Sequence, residues 1–167
     1  MSGIGASGSA MGGQLEEKLD LSAETDAKLE QSTALMQAGQ LQEALQLLTA
    51  LEKRCRIGND TPSLVRVCTT ALKLCKEAGD QEALLSTLQT LSTRRSQKTA
   101  AVKALVQTAM PWCIIEPYAP LPVSAAEQPA RDKLVDALRE ITDGKIFLEK
   151  ERAQFTRALA AIKVRCW

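Results

Sequence analysis

The stretch AGQLQEALQLLTAL, residues 38–51, returns forty residues later as AGDQEALLSTLQTL, residues 78–91. Leucine and alanine recur in both copies at three- and four-residue steps, which is the spacing of one face of an α-helix. In each copy an Ala-Gly pair precedes a Gln-Glu-Ala-Leu segment, and glycine is typical of the end of a helix. A period of about forty residues matches one helical hairpin of a repeat protein. The pattern therefore predicts two stacked antiparallel hairpins; a chance similarity between two leucine-rich helices is the alternative.

The alignment at an offset of forty residues also predicts which side chains form the core. The apolar residues of the two copies coincide, so both sets are expected to face inward, with Leu45 and Leu85 as equivalent core residues. The two sets are Ala44, Leu45, Leu48 and Leu51 in the first copy and Leu84, Leu85, Leu88 and Leu91 in the second.

The composition favours a helical protein that does not act through a strong overall charge. Apolar residues make up 45% of the 167 residues and aromatic residues only 3%, so leucine and alanine, both strong helix formers, must build the core. The formal net charge is +1, from 21 basic and 20 acidic residues. Such a balance provides no overall field that would attract nucleic acid or an anionic membrane.

The same periodicity predicts about seven helices along the chain. The expected fold is all-α, a right-handed α-solenoid of antiparallel helical hairpins similar to TPR or HEAT repeats. Thr61 is expected to cap the third helix just before Pro62. The glycines expected to end helices in the left-handed conformation are Gly39, Gly58, Gly79 and Gly144. The predicted helices span residues 22–38, 41–57, 61–78, about 81–91, 96–110, 129–142 and a stretch that begins at 145.

The chain divides into three predicted parts. Residues 1–14 are mostly glycine, serine and alanine with little to bury, which predicts a disordered tail. Residues 15–167 form the predicted solenoid, interrupted by a loop at 111–129 that contains five of the six prolines. Proline at this density excludes a continuous helix or a central strand. Trp112 and Tyr118 make this loop unusually apolar, and we expect them to fold back on the stack; contact with a partner is the alternative.

Patterns for catalysis and metal binding are scarce. The chain has no histidine, which removes the commonest acid–base group, and no glycine-rich phosphate loop occurs. Five cysteines without a CxxC spacing favour reduced thiols in an intracellular protein, with Cys68 and Cys75 as small core residues. No apolar run approaches the roughly 20 residues that span a bilayer. We therefore expect a soluble protein that is not an enzyme and uses no cofactor, metal or small-molecule substrate.

The basic run TRRSQK, residues 93–98, is the best candidate for contact with an anionic group. No aromatic residues interleave it, so nucleic-acid binding is the weaker hypothesis. The favoured interpretation is that Arg94 and Arg95 hold a hairpin junction or contact an acidic surface of a protein partner.

Three segments carry a more specific signal: LSAETDAKLEQSTALMQAGQLQEALQLLTALEK (residues 21–53), LSTRRSQKTAAVKALVQ (91–107) and ITDGKIFLEKERAQFTRALAAIK (141–163). The most specific matches are Leu-Ser at 91–92, Arg-Arg-Ser-Gln at 94–97, and Gly-Lys-Ile at 144–146 followed by Glu149, Glu151, Arg152 and Ala153. In order and spacing, these segments resemble the N-terminal region of PCI-family scaffold subunits in the lid of the proteasome regulatory particle. The resemblance covers almost the whole chain after the tail.

The resemblance implies an α-solenoid that leads into a C-terminal winged-helix module, the PCI module. Scaffold subunits of this family are not enzymes; they act in the cytoplasm and nucleus and support ubiquitin-dependent protein degradation. Their solenoid arm contacts other lid and base subunits of the proteasome, so the implied partners are proteins rather than nucleic acid or a membrane. The residues expected to contact such partners are Arg94, Arg95, Lys98, Trp112, Tyr118, Lys145, Glu149 and Arg152.

The C-terminal sequence departs from the family pattern. The chain ends at VRCW, where the family continues, so we expect the PCI module to be missing and the chain to be a fragment, an isoform or a truncated gene model. No later helix is available to cover the apolar stripe of the final helix, which is therefore expected to stay partly exposed. The alternatives to a proteasome arm are the equivalent arm of a paralogous PCI complex, such as the signalosome, and a generic helical-repeat adaptor. The stripe consists of Leu148, Phe155, Leu159 and Ile162.

Overall fold

The computed structural model describes residues 17–165, and the predicted tail at 1–14 lies outside the described residues. The described part contains seven α-helices and one pair of two-residue strands, so the prediction of an all-α fold with about seven helices is confirmed. The helices are α1 (Ser22–Gln37), α2 (Leu41–Ile57), α3 (Thr61–Ala78), α4 (Gln81–Ser92), α5 (Thr99–Ala109), α6 (Gln128–Thr142) and α7 (Glu149–Arg165), and the strands are β1 (Ile114–Ile115) and β2 (Ala119–Pro120).

Helix α3 lies at the centre of the stack. It packs against α1 and α2 on one side and against α4 and α5 on the other. Helix α4 in turn packs on α6, and α6 packs on α7. Leu64, Val67 and Leu72 of α3 are completely buried, because a helix with neighbours on both sides must be apolar around most of its circumference.

The two copies of the repeat have the same pattern of burial. Leu48 and Leu88 are buried at equivalent positions, which supports the alignment at forty residues. Leu45 and Leu85 are also equivalent, but both are only half-buried at the edge of the core. The two leucines are therefore equivalent, as expected, but they pack against the core from its edge, and the fully buried position lies three residues further along each helix.

Glycine has two different functions at the ends of these helices. Gly58 was predicted to be left-handed, but its φ is −76°, and the left-handed residue is the following Asn59, with a φ of 56°. The N–H of Leu19 donates a hydrogen bond of 2.9 Å to the Gly58 carbonyl, and a Cβ on Gly58 would lie 3.0 Å from the Leu19 side chain. Gly58 is therefore needed for close approach rather than for its φ. Among residues 17–165, the left-handed glycines are those at 39, 79 and 144, with φ values of 80°, 70° and 69°.

Asp60, and not Thr61, caps the N-terminus of α3. One carboxylate oxygen of Asp60 accepts a 3.2 Å hydrogen bond from the N–H of Ser63, and the other accepts a 2.8 Å hydrogen bond from the N–H of Leu21. Burial raises the pKa of Asp60, but these hydrogen bonds and the charge of Arg66 more than offset that effect and hold the pKa below its ordinary value. Asp60 is preferred because its two oxygens satisfy one N–H in α3 and another at the start of α1.

The proline-rich segment folds back on the helices, as the favoured interpretation predicted. Strands β1 and β2 pair in antiparallel fashion, and Ile114 and Pro120 are buried. Strand β2 packs against α7. Proline is tolerated there because a two-residue edge strand needs few ladder hydrogen bonds.

The apolar stripe of α7 is covered, which corrects the expectation that it stays partly exposed. Leu148 and Phe155 are completely buried, and Ile162 is 8% exposed. Helix α6 and strand β2 both pack on α7, so the folded-back loop supplies the cover that a further helix was expected to provide. Only Leu159 is half-buried.

Candidate interaction surfaces

A buried carboxylate joins the two hairpins at the C-terminal ends of α2 and α4. Glu52 of α2 is completely buried, and its Oε1 accepts hydrogen bonds from Arg56 Nε at 2.9 Å and from Gln97 Nε2 at 3.1 Å. Arg94 Nε lies 3.7 Å from the other oxygen, Oε2. The paired charges lower the cost of burying the carboxylate. We call these four residues the Glu52 cluster.

The basic run predicted for anion contact contributes mostly to this junction. Arg94 belongs to the Glu52 cluster, and Lys98 Nζ donates a 2.7 Å hydrogen bond to Asn59 Oδ1 at the end of α2. The carbonyl of Arg95 accepts a 3.2 Å hydrogen bond from Arg56 Nη1, whereas the Arg95 side chain is exposed. Arg94 and Lys98 are thus half-buried and bonded within the chain, whereas the Arg95 side chain is accessible to solvent.

Sequence reasoning did not single out Glu52, although a signal was present. Glu52 follows Leu48 by four residues on the apolar face of α2, so the helical period places a charged residue where the core is expected. A buried acid of this kind requires partners. The structure finds such a partner in Arg94, which belongs to the basic run at 93–98.

The junction between α6 and α7 holds three of the predicted contact residues. Lys145 Nζ donates a hydrogen bond to the carbonyl of Ile141, which satisfies one of the free carbonyls at the end of α6. Arg152 forms an exposed ion pair of 3.0 Å with Asp143. Glu149 is exposed. The side chains of Arg152 and Glu149 remain accessible here, whereas the half-buried Lys145 is hydrogen-bonded to the end of α6.

Two apolar residues next to this junction face solvent. The side chain of Ile146 is 84% exposed and that of Phe147 is 39% exposed, whereas the following Leu148 is completely buried. Ile146 and Phe147 thus leave apolar surface exposed beside the charged groups of this junction.

The two aromatic residues of the proline-rich segment are both half-buried. Lys76 Nζ lies 5.8 Å from the ring centroid of Trp112, a distance at which a cation is attracted to the ring face. Tyr118 has a φ of 76°, and its N–H donates a 2.8 Å hydrogen bond to the carbonyl of Ile115. Both residues are anchored in the fold with part of the ring accessible.

An open groove of about 780 Å³ lies between α2 and α4. Its floor includes Val67 and Ala71 of α3, the helix on which both walls pack. The Glu52 cluster closes one end, through Glu52, Arg56 and Arg94. We call this feature the α2–α4 groove.

The described cysteines are core residues rather than reactive groups. Cys55, Cys68, Cys75 and Cys113 are free and buried. Burial raises the pKa of Cys68 and of Cys113 to about 12, so these thiols stay protonated near neutral pH. Within residues 17–165, no group of three or more histidine, cysteine or acidic residues is placed to hold a metal ion. No helix in this part of the chain is long and apolar enough to cross a membrane.

Comparison with known proteins identifies the family. The family model described as PSMD12/CSN4, N-terminal, matches residues 43–165. The chain belongs to this family. A similar protein is the 26S proteasome non-ATPase regulatory subunit 12 of Dictyostelium discoideum, which is 37% identical over 144 residues, 86% of this chain. The predicted resemblance to PCI-family proteasome subunits is thereby confirmed.

Two further proteins that are similar to this chain are also named as 26S proteasome subunits. The 26S proteasome non-ATPase regulatory subunit 12 homolog B of Arabidopsis thaliana is 32% identical over 74% of this chain. The 26S proteasome regulatory subunit rpn501 of Schizosaccharomyces pombe is 30% identical over 89% of it. The chain spans only 30%, 26% and 32% of the lengths of the Dictyostelium, Arabidopsis and Schizosaccharomyces proteins.

Proposed function

We propose that this chain is a non-catalytic scaffold segment of the proteasome regulatory-particle lid and supports ubiquitin-dependent protein degradation. The observation that carries the proposal is the 37% identity, over 86% of the chain, to a 26S proteasome non-ATPase regulatory subunit. The fold agrees with a scaffold, because a stack of helices offers long surfaces to neighbours. The proposed partners are other lid and base subunits, and the proposed location is the cytoplasm and nucleus.

The proposed partner contacts fall into two classes. Arg95, Glu149 and Arg152 have exposed side chains, so they are proposed to touch a partner directly. Arg94 and Lys98 are proposed to act through the shape of the hairpin junction, since their side chains bond within the chain. The remaining proposed contacts, each half-buried, are Trp112, Tyr118 and Lys145.

A second candidate is the equivalent arm of a signalosome-like complex. The observation that favours it is the family description, which pairs PSMD12 with CSN4. The relatives described above are all named as 26S proteasome subunits, and for that reason the proteasome assignment comes first.

Affinity purification of the tagged chain from cells, followed by quantitative mass spectrometry, separates the candidates. Enrichment of proteasome regulatory subunits is expected, and enrichment of signalosome subunits instead would favour the second candidate. Arg95→Glu reverses an exposed charge at the junction and should reduce recovery of the partner, whereas Lys103→Glu, on the exposed side of α5, should not. Recovery of neither complex would reject the proposed function.

A further inference from the structure

The α2–α4 groove has the dimensions of a binding site for one helix. The α2 wall runs from Gln42 to Arg56, and the α4 wall runs from Glu82 to Leu91, with Arg94 lining the groove just beyond the end of α4. At about 1.5 Å of rise per residue, the α2 wall is about 21 Å long, the length of a helix of about fourteen residues, and the helical part of the α4 wall is about 14 Å long. The two walls run in the same direction, because the C-terminal ends of α2 and α4 meet at the Glu52 cluster.

The lining of the groove suits an amphipathic ligand. Its base is apolar and is formed by Leu45, which is half-buried, and by Leu48 and Leu91, which are almost completely buried. The upper walls carry small exposed polar residues, among them Thr49 and Ser86. An apolar base between short polar walls matches a helix that presents one apolar stripe with polar residues beside it.

The two ends of the groove carry opposite charges. At the end near the C-termini of α2 and α4, Lys53, Arg56 and Arg94 bring three positive charges against one negative charge from Glu52. At the other end, Asp80 and Glu82 line the groove. A ligand with acidic residues at one end and basic residues at the other would therefore be attracted in one orientation.

Two buried polar atoms at the basic end have no hydrogen-bond partner. Among residues 17–165, no group donates a hydrogen bond to Glu52 Oε2, and none accepts one from Arg94 Nε. Both residues line the groove. The two atoms face each other at 3.7 Å, slightly beyond hydrogen-bond distance, so they form an ion pair rather than a hydrogen bond.

From these features we propose that the α2–α4 groove binds an amphipathic helix of about fourteen residues from a protein partner, with its acidic end beside Lys53, Arg56 and Arg94. Acidic residues are most stable in the first turn of a helix, and basic residues in the last. The bound helix therefore runs antiparallel to α2 and α4. That the partner is a protein follows from the proposed scaffold function, and the inference rests on that function to this extent.

A helix fits the groove better than two other ligands. Nucleic acid would meet the carboxylates of Asp80 and Glu82 and would find no aromatic residue on which to stack. A small molecule is normally enclosed by mostly apolar walls, whereas exposed polar residues line both sides of this groove.

Synthetic peptides and the purified chain test the proposal. The probe is a fourteen-residue amphipathic peptide with glutamates in its first turn and lysines in its last turn. One control has lysines at both ends, and another has the same composition in an order that destroys the apolar stripe. Fluorescence anisotropy at low salt should show that the probe binds at least tenfold more tightly than either control.

Matched variants locate the binding site. Ser86→Trp fills the groove from an exposed position and should abolish binding, whereas Gln107→Trp, on the exposed side of α5, should not. Lys53→Glu should weaken binding about three- to tenfold through one charge reversal, and the same change at Lys103 should have no effect. Circular dichroism melting of each variant shows whether it is folded.

The proposal is overturned if the probe binds no better than the scrambled peptide, or if folded Ser86→Trp binds as tightly as the unchanged chain. Equal effects of Lys53→Glu and Lys103→Glu would also overturn it. Because the peptide experiment needs only the purified chain, its failure alongside successful recovery of proteasome subunits rejects the groove and keeps the scaffold function. Peptide binding without such recovery rejects the scaffold function instead.

Discussion

Glu52 of α2 and Ser92 of α4 occupy equivalent positions in the two copies of the repeat, and both are buried. The hydroxyl of Ser92 donates a 2.7 Å hydrogen bond to the carbonyl of Leu88 within its own helix. Glu52 instead contacts Arg94 and Gln97, about forty residues away along the chain. Ser92 is thus satisfied within its own helix, whereas Glu52 needs partners beyond the following helical hairpin in addition to Arg56 of its own helix. The two copies therefore keep the same apolar positions but differ at this polar one. The carboxylate of Glu52 links the first copy to residues that follow the second.

The largest expected effect tests whether the two copies are equivalent in the core. Leu48→Ala and Leu88→Ala should each lower the free energy of unfolding by about 2–5 kcal/mol, because each removes a buried side chain and leaves a cavity. Leu45→Ala and Leu85→Ala should cost less, since both side chains are half-buried. Chemical denaturation of the four variants measures these values. A clear difference between Leu48→Ala and Leu88→Ala would break the equivalence.

The next effect tests the contrast between the two polar positions. Glu52→Gln keeps the shape of the side chain but removes the charge that pairs with Arg56 and Arg94. Loss of hydrogen bonds to charged groups should cost about 1.5–3 kcal/mol, against about 0.5–1.5 kcal/mol for Ser92→Ala. Denaturation curves compare the two variants directly. If Ser92→Ala proved the more costly, the junction would not depend on the buried carboxylate.

The N-caps of α3 and α4 offer a similar contrast at a smaller scale. The Asp60 carboxylate accepts hydrogen bonds from the N–H of Ser63 in α3 and from the N–H of Leu21 at the start of α1. Asp80 bonds only the N–H of Ala83 in its own helix. We expect a cost of about 2 kcal/mol for Asp60→Ala and about 1 kcal/mol for Asp80→Ala. Thermal melting at pH 7 measures both, and equal costs would show that the bond to Leu21 contributes nothing.

The Asp60 contribution should also depend on pH. Its pKa in the folded protein is lowered from the ordinary value of 3.8, so the folded state favours the charged carboxylate. The stabilisation is complete well above pH 3.8 and is lost as the pH falls through the folded-state pKa. The difference in stability between the unchanged chain and Asp60→Asn should therefore shrink on acidification below pH 4. A difference that grew instead would contradict this sign.

The smallest expected effect concerns a pair of equivalent arginines. Arg54 is 56% exposed and pairs with Glu24, whereas Arg94 is 32% exposed and pairs with the buried Glu52. Arg54→Ala should cost less than about 1 kcal/mol, as exposed ion pairs usually do. Arg94→Ala should cost about 1–2 kcal/mol because it removes a partner of a buried charge. Adding salt should reduce the Arg54 effect more than the Arg94 effect.

The start of α5 shows how a distant contact overrides local pattern. The sequence predicts a helix from residue 96, but α5 begins at Thr99. Ser96 has a φ of 61°, and the Gln97 side chain bonds Glu52 and the carbonyl of Leu91. These contacts hold the connection outside the helix. By contrast, α2 was predicted at 41–57 and found at Leu41–Ile57, because its ends depend on residues next to it in the chain.

Part of the candidate site could likewise be predicted. The interpretation of Arg94 as a residue of the hairpin junction agrees with its position next to Glu52. The groove could not be predicted, because its walls come from α2 and α4 and its floor from α3. Helical period shows which residues share one helix face, but it carries no information about the gap between two helices that pack on a third.

The sequence by itself determined the helical class, most helix bounds and the repeat, because these follow from spacings of three and four residues and from glycine and aspartate at helix ends. Tertiary structure alone decided the Glu52 cluster and the cover over α7. Each depends on groups that are distant in sequence, such as Arg94 for Glu52, or β2 for the apolar side of α7. The sequence shows that a buried charge needs ion-pair partners and that an apolar stripe needs cover. Only the packed chain shows which residues provide them.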